Sequence, residues 1–339
     1  MKNPFLNEQE RRLRAFWRLL LQYVLFSNGA VVLAGVFGLA SLASLEGVGL
    51  GEDPSKSLAA SPAFRTTSYV AASLVATLVS VWLAGRFFDR RPFSGFGLRF
   101  DRVWWLEFCF GLALGALLMT AIFLVELAAG WITVTGTFET LGNGRPFALA
   151  ILLPLVVFAC VGFYEELLSR GYQLQNMAEG FNYPSLGPRG AILLAWVLSS
   201  ALFGLLHLSN PNASPISTLN ITFAGLLLGT GYVLTGRLAI PIGLHITWNF
   251  FQGNVFGFPV SGLEPLGATF VSIEQGGPSL FTGGAFGPEA GLLDPAATIV
   301  GSLLIWFWVR ARSRDGSLEL SIAEPPGGRV EDAKTSGEA

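Results

Sequence analysis

Along this chain, charge-free apolar runs alternate with short polar segments, and the runs have the length of bilayer crossings. A spanning helix needs roughly 20 apolar residues. Residues 19–45, 66–85, 108–125 and 146–164 form four such runs. Residues 190–236 are split by "NPNASP" (210–215) into two more. Residues 238–263 and 290–309 supply a seventh and an eighth. The pattern predicts an all-α, polytopic membrane protein with about eight transmembrane helices. The first run is too long for the apolar core of a signal peptide and reads as the first span.

Between the spans, residues 1–18 form a basic lead-in, an orientation signal at one membrane face. Residues 19–310 are read as the transmembrane domain. Within it, residues 257–289 are Gly- and Pro-rich and form a long outer loop. The aromatics Phe258, Phe270, Phe281 and Phe286 in that loop suggest packing on the membrane surface. Residues 315–339 are polar, carry "EPPGG" and have no apolar period, so disorder is expected.

Composition agrees with the pattern. Mean hydropathy is +0.55 and charged residues make up 13% of the 339, against about 25% in a soluble domain. Net charge of −2 gives no sign of a nucleic-acid partner. Cys109 and Cys160 fall in predicted spans and read as small apolar packing residues. Charge also gives orientation. With eight spans, eighteen of the 21 Lys and Arg fall on the side of the N-terminus. Only Lys56, Arg65 and Arg145 fall on the other. Positive charge accumulates in cytoplasmic loops, so both termini are expected in the cytoplasm, the membrane being the cell's inner or plasma membrane.

Ionisable groups inside a bilayer are costly and mark functional sites. Both histidines of the chain, His207 and His245, lie in predicted spans. Glu165 and Glu166 end one of the most apolar runs, with Arg170 one turn on. Asn249 lies one turn after His245. Glu107 and Glu126 flank the third span and are expected at the interfaces. Asp294 heads the last span as an expected helix N-cap. A carboxylate pair, two imidazoles and an amide are the groups a general-base or metal-assisted hydrolysis uses.

Geometry allows these groups to meet. Midway between Glu165 and His207 lies the turn signal "YPSLGPRG" (183–190), so the two flanking helices form an antiparallel pair. His245 stands eight residues past Arg237, about 12 Å of helix rise. Glu166 and Arg170 are spaced to pair on one face, which leaves Glu165 pointing elsewhere. Phe203 and His207 share a face, so Phe203 walls the site. The active site is thus expected between helices 4, 5 and 7.

"EELLSR" fits EExxxR, "FGLLH" fits FxxxH and "HITWN" fits HxxxN, in that order. Across residues 145–255 the chain resembles the CAAX protease and bacteriocin-processing family, also labelled abortive infection, which includes the type II CAAX prenyl endopeptidases. The resemblance implies an intramembrane endopeptidase acting on a protein or peptide in or at the membrane. It implies Glu165 as the base that activates water, with His207, His245 and Asn249 completing the catalytic set and Glu166, Arg170 and Phe203 supporting it. Two versions stay open. In one, His207, His245 and Glu165 hold zinc and Glu166 serves as base. In the other, glutamate and histidine act without metal. No HExxH helix is present, which excludes a zincin-type ligand pair. Cleavage is expected at or within the cytoplasmic leaflet. The rival readings are a non-catalytic membrane binding module of the same fold, and a metal or proton transporter.

Overall fold

A computed structural model describes residues 3–7, 10–46, 62–140, 146–312 and 315–326, with the side chains of 38–46 and 62 excepted. The lead-in is a short antiparallel ribbon of β1 (Leu6–Asn7) and β2 (Arg12–Leu13). Helices α1 (Ala15–Glu46), α2 (Pro62–Ala84) and α3 (Arg102–Ala128) follow. Strand β3 (Ile132–Thr140) comes next. Helix α4 (Phe147–Phe181) contains a π-helical stretch, Leu167–Leu174. Helices α5 (Gly187–Leu206), α6 (Pro215–Thr235) and α7 (Ala239–Phe250) complete the motif region. Strand β4 (Ala268–Gln275) and helix α8 (Leu293–Ala311) lie beyond it.

The all-α membrane architecture is as the apolar runs predict. Among the described residues, seven helices are long and apolar enough to cross a membrane, and α7 is not one of them. Its twelve residues continue only through a π turn, Phe251–Val255. The expected run to residue 263 is cut short because Gly257, Ser261 and Gly262 all take left-handed backbone conformations. Helix α7 is instead the buried centre of the bundle, with Ala239 to Ile246 all enclosed.

Glycines set how closely α7 is gripped. A Cβ on Gly111 or Gly115 of α3 would collide with the α7 carbonyls of Ile240 and Leu244, and one on Gly243 with the Phe108 carbonyl. Thr247 Oγ1 donates to the Leu112 carbonyl at 2.8 Å. On the other flank, a Cβ on Gly162 of α4 would stand 2.8 Å from Ile246 Cγ1. Small residues allow such close backbone approach where lipid supplies no hydrophobic drive between helices. Gly111→Leu is therefore expected to push α7 from its seat at the upper end of the usual overpacking cost of ~1–3 kcal/mol. Folded yield and melting temperature of the purified protein check this, against Leu117→Ala on the exposed face of α3 as control.

The two ends of the bundle differ. At the basic end Arg18 bridges Asp89 at 2.8 Å and Glu179 at 2.9 Å. Arg12 and Arg91 reach the same Glu179 at 2.8 and 2.6 Å. Arg237 approaches Asp101 at 3.5 Å and Glu107 at 3.7 Å. The lead-in is thus more than an orientation signal: Arg12 and Arg18 are buried ion-pair partners. Glu107 and Glu126 sit at the ends of α3 as expected, but both are covered by protein, Glu126 accepting from Gln275 at 3.3 Å.

The opposite end carries an antiparallel ribbon of β3 and β4, with a register shift between Val134 and Gly136. It lies outside the helical expectation. The outer loop packs onto the bundle itself: Phe258 and Phe286 are core residues. Asp294 is not a cap. Helix α8 begins at Leu293, so Asp294 stands inside the first turn, fully buried, and among the described residues neither carboxylate oxygen takes a hydrogen bond. Cys109 faces outward from the bundle. The tail differs from the expected disorder in its first part. Leu320–Ala323 form a turn with Ile322 and Ala323 buried, and Asn182 donates to the Ala323 carbonyl at 3.0 Å. Residues 327–339, and the loop holding Lys56, lie outside the described residues.

Candidate active site

Helices α4, α5 and α7 bring Glu165, His207, His245 and Asn249 to one cavity of about 320 Å³. That volume falls within the range of small-molecule and peptide pockets. Phe203, Ser169 and Trp248 also line it.

The two glutamates occupy different surroundings. The Glu165 side chain is 22% exposed and accepts from the Tyr164 hydroxyl at 3.3 Å. Glu166 is fully buried. Its Oε1 accepts from Arg170 at 2.8 Å and faces His245 Nδ1 at 2.8 Å. Arg170 also donates to the Gly225 carbonyl of α6 at 2.9 Å and lies 4.5 Å over the Phe203 ring. One oxygen of Glu166 thus joins α4, α6 and α7 through Arg170 and His245. The contact with His245 is a link that helical spacing did not predict.

The histidines are each oriented from behind. His207 Nδ1 meets the Phe203 carbonyl at 2.7 Å. A carbonyl only accepts, so Nδ1 carries the proton and Nε2 is the acceptor of the neutral ring. His245 Nδ1 is turned to Glu166 in the same way, which leaves Nε2 toward Glu165, 3.9 Å from Oε2. That separation is too long for a direct hydrogen bond and of a size that one bridging water spans. Phe203 lies near both rings, tilted against His207 and edge-on to His245, with centroids at 4.8 and 6.1 Å. Asn249 lines the cavity one turn beyond His245. Among the described residues no three His, Cys, Asp or Glu side chains are gathered to hold a metal ion. Glu166 faces His245 Nδ1 and leaves Nε2 open toward Glu165, an orientation that a metal-bound imidazole also adopts. Glu165, His207 and His245, the residues expected to hold zinc, are not gathered into one shell.

A second group of residues escaped the motif reading. Glu289, buried in the loop before α8, accepts from the backbone N–H and hydroxyl of Ser261. Burial pushes its pKa up, while hydrogen bonds from Ser261 and Gln252 act the other way. The Ser261 carbonyl accepts from Asn210 Nδ2 at 3.0 Å, and Asn210 N–H donates to the His207 carbonyl at 3.1 Å. The turn after α5 that carries His207 is thereby tied to the loop. Ser261 holds a left-handed backbone, φ 48°, which is strained for a residue with a side chain. The local sign was a lone carboxylate in an otherwise apolar Gly-rich segment, "FGPEAG". Its partner Ser261 is 28 residues away, beyond any spacing rule. Glu289→Gln is expected to lose charge-assisted bonds of about 1.5–3 kcal/mol, lowering the melting temperature. Glu289→Asp, too short to reach Ser261, should do the same.

Residues 147–251 match the family model described as type II CAAX prenyl endopeptidase, Rce1-like. The uncharacterized protein YyaK of Bacillus subtilis (strain 168) is 26% identical over 208 residues, 57% of this chain and 66% of that protein, just under two thirds of its length. No solved structure matches. The matched segment contains every residue of the three sequence motifs, and across it this chain resembles the Rce1-like type II CAAX prenyl endopeptidases.

Proposed function

We propose that the protein is an intramembrane endopeptidase that hydrolyses a peptide bond of a membrane-associated, or lipidated, protein or peptide. The observation that carries this reading is the convergence of Glu165, His207, His245 and Asn249 on one cavity. Glu165 takes a proton from a water bridging its carboxylate and His245 Nε2. The water oxygen attacks the scissile carbonyl, and its carbon becomes tetrahedral. The Asn249 amide, or His207 when its Nε2 carries a proton, donates to the oxyanion. Glu165 then returns the proton to the leaving amine, which breaks the C–N bond.

The test is cleavage of lipidated and unlipidated peptide libraries by purified protein, followed by mass spectrometry. The non-catalytic alternative predicts binding without products. Chelation separates the two catalytic versions. Because the candidate ligands do not form one shell, cleavage is expected to persist after extraction with a strong chelator. Loss on chelation with recovery on zinc would instead establish the metal version.

The charge skew supports both termini in the cytoplasm. The segments assigned to that side also meet at one end of the bundle, through Arg18 with Asp89 and Glu179, and through Asn182 with Ala323.

A further inference from the structure

The cavity belongs to one end of the bundle. Helix α2 contributes its first turns, Thr66, Tyr69 and Val70, and none of its last. Helix α5 contributes its last turn and the residues after it, Leu206, His207 and Asn210. The outer loop adds Val260, Ser261, Leu263 and Glu289. All these segments lie at the end opposite the basic cluster. On the other side of Glu165 the cavity lining on α4 stops at Leu168, Ser169 and Gln173. Leu167–Leu174 of α4 are buried throughout, and Tyr172 donates to Asp89 at 3.0 Å beneath the Arg18 ion pairs.

The orientation comes from independent information. The eight-span reading of the sequence assigns eighteen of the 21 Lys and Arg to the side of the closed end, and such charge marks the cytoplasmic face. We infer that the cavity opens to the non-cytoplasmic face, and that its substrate is a membrane-anchored polypeptide whose scissile bond lies at that face. This inference departs from the expectation of cleavage in the cytoplasmic leaflet. The lining supports an anchored chain. One side is apolar, with Phe26, Val70, Phe158 and Val161 from α1, α2 and α4, suited to a segment still in lipid. The other is polar, with Asn210, Ser261 and Glu289 toward the loop, suited to a chain leaving for water. The side of opening stands on geometry and charge. The word substrate rests on the peptidase reading above.

The test uses the full chain in cells, with Cys109 and Cys160 replaced by alanine and single cysteines introduced. A membrane-impermeant sulfonated maleimide is the probe. Leu263→Cys marks the mouth, Glu165→Cys and the conservative Val161→Cys mark the interior, and the exposed Ser94→Cys marks the basic end. The first three are expected to label in intact cells, and Ser94→Cys only after permeabilisation. Interior cysteines that label only after permeabilisation, or in neither state while the two reference positions react, overturn the inference. A Ser94→Cys that labels in intact cells overturns it as well. A second arm adds an impermeant quenched peptide to sealed vesicles of both orientations. Cleavage is expected in right-side-out vesicles and lost in inside-out ones, and the reverse overturns the inference. If detergent-solubilised protein cuts nothing, the peptidase reading and the substrate claim fall, while the labelling still decides the opening.

Discussion

Glu165→Gln is expected to abolish peptide cleavage, by about 10²- to 10⁴-fold, with folded yield and melting temperature close to wild type. The magnitude is that of a lost general base. The small structural effect follows from the surroundings: Glu165 is partly exposed to the cavity, and its one hydrogen bond among the described residues, from Tyr164, is long. A Gln oxygen still accepts there. Cleavage and thermal unfolding measured on the same preparation decide the matter. A Glu165→Gln protein that cuts at the wild-type rate removes Glu165 from the mechanism.

Glu166 carries the opposite expectation. Glu166→Gln leaves the buried Arg170 without its counter-charge and removes the anion facing His245 Nδ1. Removing one partner of a buried ion pair costs roughly 3–5 kcal/mol, so yield and melting temperature should fall sharply. Arg170→Gln should be comparably unstable, yet it keeps the contact between Glu166 and His245. Per folded molecule, Arg170→Gln is therefore expected to cleave faster than Glu166→Gln. The double variant should be less damaged than the two singles combined, since the partners are in contact. Equal activity per folded molecule in the two single variants would remove Glu166 as the residue that positions His245.

The helices and the motif residues were legible because both are local. Uncharged runs of spanning length identify themselves, and Glu165, His207, His245 and Asn249 are polar groups where polar groups are costly. What stayed hidden depends on distant partners. The ribbon joins Ile132 to Gln275, and nothing near β3 names its mate. Asp294 has the sequence position of a cap, but the helix start one residue earlier takes that role away. Glu166 could be paired with Arg170 by spacing, whereas its contact with His245 depends on the glycine-lined crossing that seats α7. The inferred side of opening drew on both charge and packing. His207 lies just past the far end of α5, and the loop tied to it by Asn210 and Ser261 is distant in sequence.

The charge cluster at the closed end also has a history in time. Arg18 leaves the ribosome 161 residues ahead of Glu179, which at about 5–20 residues per second is roughly 10–30 s of synthesis. Throughout that interval the lead-in arginines lack Glu179 as a partner, and as positive charges flanking the first crossing they act to hold it in orientation. Only when the end of α4 emerges does Glu179 draw Arg12, Arg18 and Arg91 together. The same charges serve first as a topology signal during synthesis and afterwards as the clasp that seals the finished protein on one side.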